Sequence, residues 1–178
     1  LLQVLEPSPL RIEPRCAVFG MCGGCVSQHI NGHEQRRIKE LALKDTLERI
    51  GRVEPRYWLD SLYDESVEGG WHYRRRARLA VKDVAAKGRV LVGFRERHAP
   101  YVCDMHRCEV LTKPVDSLID PLSELVGALS IRSRLPQIEV AVGDDTISLT
   151  FRVLDRPTDA DLMVFREFAS FHGVQVFL

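Results

Sequence analysis

The sequence predicts an α+β fold, in which antiparallel hairpins pack against helices, together with an irregular cysteine-rich loop. Strand-like runs joined by short polar turns indicate two hairpins, over residues 73–97 and 137–154. Leucines at helical spacing lie between the hairpins, and a second helical pattern follows the later one. Alternation of hairpins with helices is typical of the α+β class.

The composition allows a substantial core and indicates a cytoplasmic location. The chain has 178 residues, of which 45% are hydrophobic, enough for one domain or two small ones. It contains no apolar run long enough to cross a membrane, and its first residues do not resemble a signal peptide. In the cytoplasm, clustered cysteines indicate metal or redox chemistry more often than disulfides.

The charge is unevenly distributed, although the formal net charge is zero. Residues 71–98 contain nine Lys and Arg but only two acidic residues. A basic segment within a neutral chain indicates one anionic partner bound at one place.

The ends of the chain predict a fragment of a longer protein. Residues 1–14 resemble the tail of a strand followed by a Pro-rich linker, and residues 174–178 form an apolar, strand-like run with no terminal turn. Domains seldom end inside an unpartnered apolar strand.

A helix is predicted directly after the cysteine loop. Asn31 can cap its start, Gly51 offers a C-terminal stop, and Leu43, Leu47 and Ile50 share one stripe. Residues 52–70 are interpreted as a loop, with Trp58 expected in the core, as is Tyr101.

The first hairpin begins with strict period-two alternation. One predicted face carries Tyr73, Arg75, Ala77, Leu79 and Val81, and the other carries Arg74, Arg76, Arg78, Ala80 and Lys82. Arg75, on the apolar face, is expected to be a structural, paired arginine. A turn leads to the partner run at residues 90–97.

Two further helices are predicted after the first hairpin. A helix is predicted over residues 114–131, with Pro121 at a kink or at the start of its second half, and the aligned leucines are Leu118, Leu122, Leu125 and Leu129. A last helix is predicted from a Thr158 cap to Gly173.

Three cysteines, Cys16, Cys22 and Cys25, lie within ten residues, with Gly23 and Gly24 between the last two. Two thiolates separated by two residues can bind one metal centre, and the glycines allow a sharp turn. A tetrahedral zinc or an iron–sulfur cubane needs a fourth ligand. The candidates are Cys103, Cys108, His29 and His33.

The spacing favours iron–sulfur over zinc. Zinc sites usually combine two short-spaced pairs, whereas three local cysteines plus a distant one are common around a 4Fe–4S cubane. Unligated buried cysteines and thioredoxin-like redox chemistry are the alternatives, but the Gly-Gly pair and polar loop argue against the latter. A radical enzyme that uses S-adenosylmethionine has a shorter first cysteine gap and a barrel longer than this chain.

Four segments together resemble one family. They are CAVFGMCGGCVSQH from Cys16, GWHYRRRARLAV from Gly70, VGFRER from Val92 and RCEVL from Arg107. The sequence resembles the iron–sulfur 23S ribosomal RNA (uracil-5-)-methyltransferases, relatives of the tRNA uracil-5 methyltransferases. The resemblance extends from about residue 14 to the end.

The resemblance implies a ligand set and a domain order. A 4Fe–4S cluster would be held by Cys16, Cys22, Cys25 and Cys108, which leaves Cys103 as a core residue. Residues 1–14 would end an N-terminal RNA-binding barrel, residues 15–50 would form the cluster loop and its helix, and residues 51–178 would form a central RNA-recognition domain. The methyltransferase domain would lie beyond this segment.

The resemblance also implies what this segment does not do. The family binds S-adenosylmethionine at a Gly-rich loop and attacks uracil with a cysteine, both in the methyltransferase domain. No such loop is present here, so we expect no catalytic residue and no S-adenosylmethionine site in this segment. Both would belong to the full-length enzyme only.

Basic and aromatic residues are predicted to bind 23S ribosomal RNA, because arginine contacts phosphates and stacks on unpaired bases. The candidate RNA-binding residues are His29, Arg74, Arg76, Arg78, Lys82, Phe94, Arg95 and Arg97. A solvated strand face is the alternative for any single arginine. We expect a monomer in which the cluster is structural. A stand-alone zinc RNA-binding module is the alternative function.

Overall fold

The computed structural model describes residues 4–62 and 68–178. Its main elements in these ranges are helix α1 (Gly32–Thr46), strands β1 (Arg76–Val84) and β2 (Arg89–Gly93), helix α2 (Ile119–Ala128), strands β3 (Gln137–Val142) and β4 (Ile147–Arg152), helix α3 (Asp159–His172) and strand β5 (Gln175–Phe177). The α+β class predicted from the sequence is confirmed. No described helix is long and apolar enough to cross a bilayer.

The strands of the described residues form one sheet in the order β2-β1-β3-β4-β5. The β1–β2, β1–β3 and β3–β4 pairs are antiparallel, which confirms both predicted hairpins. Strand β5 pairs in parallel with β4, so the sheet is antiparallel except at this edge. The parallel pair follows from helix α3, which carries the chain back across the sheet between these strands.

One sheet face is buried, as the alternation in β1 predicts. Ala77, Leu79 and Val81 face the core, while Arg76, Arg78 and Lys82 face solvent. Helices α2 and α3 cover the buried face, and the Phe151 and Phe165 rings meet at 4.9 Å. Burial of each such large side chain contributes about 1.5–3 kcal/mol.

Helix α2 is shorter than predicted, but its apolar face is as expected. Leu118, Leu122, Leu125 and Leu129 are all buried. The predicted start forms a separate 3₁₀ turn, Val115–Ser117, before the helix begins at Ile119.

Helix α3 has both predicted caps. The Thr158 hydroxyl accepts the Asp161 N–H, the Asp161 carboxylate accepts the Thr158 N–H, and Gly173 ends the helix with φ 63°. This capping box satisfies donors at the helix start that lack partners within the helix.

Helix α1 departs from the prediction at its end. Asn31 caps it, as expected, through an Oδ1 that accepts the Glu34 N–H at 2.8 Å. The helix continues as a π-helical turn, Leu47–Gly51, and the left-handed residue is Arg52 (φ 50°), so the prediction of a Gly51 stop is wrong. Arg52 can take this role because its N–H bonds to the Leu47 carbonyl.

Two aromatic residues expected in the core are exposed. Trp58 is 41% exposed and Tyr101 is 68% exposed, so both expectations are wrong. Aromatic character alone does not distinguish a core position from a surface one. Residues 63–67 of the predicted 52–70 loop lie outside the described residues.

Candidate functional site

Four cysteines line one small cavity beneath the loop of residues 16–25. They are Cys16, Cys22, Cys25 and Cys108, and the cavity has a volume of about 10 Å³. Cys108 reaches it from the segment between β2 and α2, and Cys108 and Cys22 are buried. The fold therefore brings together the four cysteines that the resemblance implies.

Backbone N–H groups point at three of these sulfurs. The Gly24 N–H donates to Cys22 Sγ at 3.4 Å. Val18 and Phe19 donate to Cys16, and Val110 and Leu111 donate to Cys108. Donors placed two or three residues after a cysteine stabilise negative charge on its sulfur. This cradle suits thiolates that bind a metal centre.

Without a cation, burial favours the protonated thiol at Cys16, Cys22 and Cys108. Burial raises the pKa values of the Cys16 and Cys22 thiols, and raises the pKa of Cys108 to about 11. Charge repulsion between neighbouring cysteine sulfurs adds to each upward pKa shift. A cationic metal centre reverses this balance, because it stabilises thiolates and releases their protons.

The four thiols line the same cavity from two parts of the chain. Within residues 4–62 and 68–178, no group of three Cys, His, Asp or Glu side chains is arranged to hold a metal ion. A zinc ion with Zn–S bonds of about 2.3 Å requires its sulfurs to nearly touch each other. A four-iron cluster is a larger body that holds its thiolates further apart.

Cys103 is separate from the cavity lining. It is fully buried, as expected for a core residue, and it hydrogen-bonds with Cys22. Burial raises its pKa to about 12, with a further contribution from the Cys22 charge. Cys103 therefore packs behind the cavity, whereas Cys108 lines it.

Two polar residues that the sequence did not single out also line the cavity. Gln28 is buried, and its Oε1 accepts the Cys16 N–H at 3.2 Å. Glu109 forms ion pairs with Arg15 at 3.0 Å and Arg107 at 2.8 Å. In the sequence, the position of Glu109 directly after Cys108 was the signal that it lies at the cavity.

The cysteine loop is hydrogen-bonded to residues 95–97, which follow β2. The Gly23 N–H donates to the Arg95 carbonyl at 2.9 Å, and the Arg97 N–H donates to the Met21 carbonyl at 2.8 Å. The Arg97 guanidinium also donates to the Cys25 carbonyl at 2.6 Å. These hydrogen bonds couple the conformation of the cysteine loop to the positions of Arg95 and Arg97.

An open groove lies beside this contact. It has a volume of about 730 Å³, and four predicted RNA-binding residues line it, together with Gly23 and Gly24: Arg74, Phe94, Arg95 and Arg97. The Arg74 guanidinium lies 4.8 Å from the centroid of the Phe94 ring, which is largely buried. A guanidinium in this position covers the ring, so Arg74 is the more accessible of the two.

The other predicted RNA-binding residues lie outside the groove lining. Arg76, Arg78 and Lys82 occupy the solvent face of β1, where Arg78 pairs with Glu139 at 3.3 Å. His29 packs against Phe19, with ring centroids 5.6 Å apart. Arg75 pairs with Asp144 at 2.5 Å, in agreement with the expected structural role, although its side chain is exposed.

Gly93 provides a test of the packing behind the cavity. An added Cβ would lie 2.7 Å from Met105 Sδ and 3.2 Å from the Cys103 carbonyl oxygen. We expect Gly93→Ala to lower the free energy of unfolding by about 1–3 kcal/mol, because buried Met105 must move. Urea unfolding measures this effect. Gly127→Ala, whose Cβ would have 4.0 Å of clearance, is the control and should not destabilise the protein.

Comparison with known proteins finds relatives that match nearly the whole chain. The chain is 47% identical over 178 residues to "23S rRNA (uracil(1939)-C(5))-methyltransferase RlmD" of Cupriavidus necator, covering 100% of this chain and 40% of the relative. Proteins of the same name match from Bordetella pertussis (48% identity, 99% of this chain, 37% of the relative) and Thiobacillus denitrificans (48% identity, 97% and 39%). The chain is homologous to these methyltransferases.

The predicted resemblance to the rRNA (uracil-C5)-methyltransferases is thus confirmed. The chain corresponds to the N-terminal part of these relatives and spans about two fifths of their length. No protein-family model matches the chain.

Proposed function

We propose that this chain is the cluster-binding and RNA-recognition part of an S-adenosylmethionine-dependent methyltransferase that forms 5-methyluridine in 23S rRNA. The reaction and substrate come from the names of its relatives. The observation that carries the assignment to this segment is that three neighbouring cysteines and the distant Cys108 line one cavity beside an arginine-lined groove.

A 4Fe–4S cluster fits the residues around the cavity. Cys16, Cys22, Cys25 and Cys108 would hold it, and the N–H groups around three of their sulfurs would offset the thiolate charge. A cluster with four thiolate ligands supplies a cross-link and has no open iron position. It would close a loop of about ninety residues and contribute a few kcal/mol by restricting the unfolded chain.

RNA would bind in the groove beside the cysteine loop. Arg74, Arg95 and Arg97 supply positive charge there, and the groove is open to solvent. The bonds from residues 95–97 to the loop would let the cluster position these arginines. The solvent face of β1, with Arg76 and Lys82, would extend the basic surface.

Methyl transfer itself belongs to the part of the relatives that this chain does not match. We place the S-adenosylmethionine site and the attacking cysteine there, because the cysteines described here serve the cavity or the core. This segment alone is expected to be inactive, cytoplasmic and monomeric.

Metal analysis of protein purified without oxygen tests the cluster assignment. We expect about four irons and a matching amount of acid-labile sulfide per chain, with a brown colour. One zinc per chain and a colourless solution would contradict the iron–sulfur assignment and favour the stand-alone zinc RNA-binding module.

Binding of a 23S rRNA fragment tests the groove. We expect the double variant Arg74→Gln, Arg95→Gln to bind about tenfold more weakly, because phosphate contacts are lost, and to reduce the salt dependence of binding. Filter binding at several salt concentrations measures both effects. Arg166→Gln, an exposed arginine on α3, is the matched control. Equal losses in both variants would contradict an RNA site in this groove.

A further inference from the structure

Glu109 lies between two arginines at the edge of the cysteine cavity, and we call Arg15, Glu109 and Arg107 the Glu109 triad. The Glu109 side chain is only 10% exposed, and its two oxygens form ion pairs with Arg15 at 3.0 Å and with Arg107 at 2.8 Å. Among the described residues, Glu109 Oε2 is buried without a hydrogen bond, so the charge of Arg15 is what compensates it. A buried carboxylate is costly unless it is paired. Glu109 therefore depends on its two arginines.

The triad connects the two parts of the chain that supply the cavity cysteines. Arg15 directly precedes Cys16, and Arg107 and Glu109 are the two neighbours of Cys108. Within the described residues, no backbone hydrogen bond joins residues 10–31 to residues 104–118. The ion pair between Arg15 and Glu109 is thus a direct electrostatic link between the start of the cysteine loop and the segment that carries Cys108.

The segment around Glu109 is held in place by contacts of its own. The His72 N–H donates to the Glu109 carbonyl at 3.1 Å, and the Cys108 N–H donates to the Asp116 carbonyl at 2.9 Å. The Arg107 guanidinium also lies 3.5 Å from the carboxylate of Asp116. None of these three contacts involves a cysteine sulfur, so they do not require a metal centre in the cavity. Glu109 is therefore a fixed point to which the loop can attach.

Arg15 contacts this fixed point from the loop side. Its guanidinium lies 5.5 Å from the centroid of the Trp71 ring, and Trp71 packs against the core. An arginine over an aromatic ring gains a cation–π attraction in addition to its ion pair. At the other end of the loop, the Gly23 N–H donates to the Arg95 carbonyl. The cysteine loop is thus anchored near both its first and its last cysteines.

We propose that the Glu109 triad holds Cys16 and Cys108 in place before a cluster binds, so that the cluster assembles in a preformed site. The proposal rests on the proposed function, which places a 4Fe–4S cluster among these cysteines. The triad residues are positioning residues, because they act through the cysteines beside them. A site that is ordered in advance binds faster and more tightly, since less of the chain has to be ordered at the moment of binding.

Cluster assembly on the metal-free full-length enzyme tests the proposal. Ferrous iron, sulfide and a thiol reductant are added without oxygen, and the brown absorption and the bound iron are followed over time. We expect Arg15→Gln to assemble the cluster about tenfold more slowly and to reach the native iron content, because one ion pair with a buried carboxylate is lost. Arg15→Lys, which keeps the charge, should recover most of the rate.

Arg134→Gln is the matched control for assembly. Arg134 pairs with Asp155 at 3.0 Å, the same distance as in the pair of Arg15 with Glu109, and neither Arg134 nor Asp155 lines the cavity. This variant should assemble the cluster at the native rate. A lower final iron content in Arg15→Gln with an unchanged rate would mean that Arg15 holds the bound cluster and not the empty site, which would overturn the proposal.

Hydrogen exchange of the metal-free enzyme, measured by mass spectrometry, separates positioning from general stability. In Arg15→Gln we expect the amides of residues 16–25 to exchange at least about tenfold faster, while those of β3 and β4 are unchanged. Equal exchange in the native and variant enzymes would overturn the proposal. Faster exchange throughout the sheet would overturn it too, because the triad would then support the whole fold.

The two measurements also separate this proposal from the proposed function. If the native enzyme takes up no iron, the cluster assignment is wrong, and the exchange of residues 16–25 still decides whether the triad orders the loop. If the native enzyme takes up iron and Arg15→Gln alters neither assembly nor exchange, the cluster assignment stands and the role of the triad is wrong.

Discussion

Replacement of Cys108 by serine is expected to remove the iron and its colour and to destabilise the fold. Cys108 is the cavity residue that connects the loop of residues 16–25 to the segment before α2. Without this thiolate the proposed cluster loses its distant anchor, and with it the restriction of the unfolded chain. We expect a loss of at least about 3 kcal/mol in the free energy of unfolding. Iron analysis and urea unfolding under argon measure the two effects.

Cys103→Ala is the matched control. Cys103 is as buried as Cys108 and only five positions away, but it does not line the cavity. The Cys103→Ala variant should retain the iron. It should lose less stability than Cys108→Ser, because only the packing of one buried sulfur is removed. Loss of iron from Cys103→Ala together with retention in Cys108→Ser would show that the ligand assignment is reversed.

Asp161→Asn is expected to cost about 3 kcal/mol in the free energy of unfolding. The carboxylate of Asp161 is buried and accepts bonds from the Ser130 N–H at 2.7 Å, the Ser130 hydroxyl at 2.6 Å and the Thr158 N–H at 2.9 Å. An asparagine would present an NH₂ group to some of these donors and leave them unsatisfied. Thermal or urea unfolding measures the loss. Asp159→Asn, in the same helical turn but exposed, should change stability by less than about 0.5 kcal/mol.

The effect of Asp161 depends on pH in a defined direction. Burial alone would raise the pKa of this carboxyl, but the hydrogen bonds from Ser130 and Thr158 hold it well below its usual range. The stability that the ionised group provides is fully present above the unfolded pKa of about 3.9, and it is lost as the pH falls toward the folded value. The difference between the native protein and Asp161→Asn should therefore shrink as the pH is lowered from about 6 to about 3. A difference that stays constant would contradict this account.

The parts of the fold that the sequence predicted are those with one buried and one exposed face. Leu79 and Val81 alternate with Arg78 and Lys82 along β1, and this period identifies a strand at the surface of a core. Thr158 and Gly173 have local roles that depend on adjacent residues, so the ends of α3 were also predictable. The parallel β4–β5 pair was not, because pairing between distant strands leaves no local signal.

The candidate site was predictable only with the help of the family resemblance. From spacing alone, Cys103 and Cys108 were equivalent, since both follow the second strand closely. The structure separates them because the chain turns Cys103 toward the core and Cys108 toward the cavity. The bond from Arg97 to the Cys25 carbonyl joins residues 72 positions apart, which no sequence pattern reveals. Trp58 was expected in the core because hydropathy alone does not distinguish a core position from an exposed one.

The position of Cys108 in the chain also determines when the cavity can form during synthesis. Cys16, Cys22 and Cys25 leave the ribosome first, and Cys108 emerges only after the β1–β2 hairpin. At about 5–20 residues per second, the nascent chain carries three solvated thiols for several seconds before the fourth arrives. Assembly of the proposed cluster would therefore follow synthesis of the β1–β2 hairpin, and a shortage of iron would leave a chain whose sheet can form but whose cysteine loop lacks its cross-link.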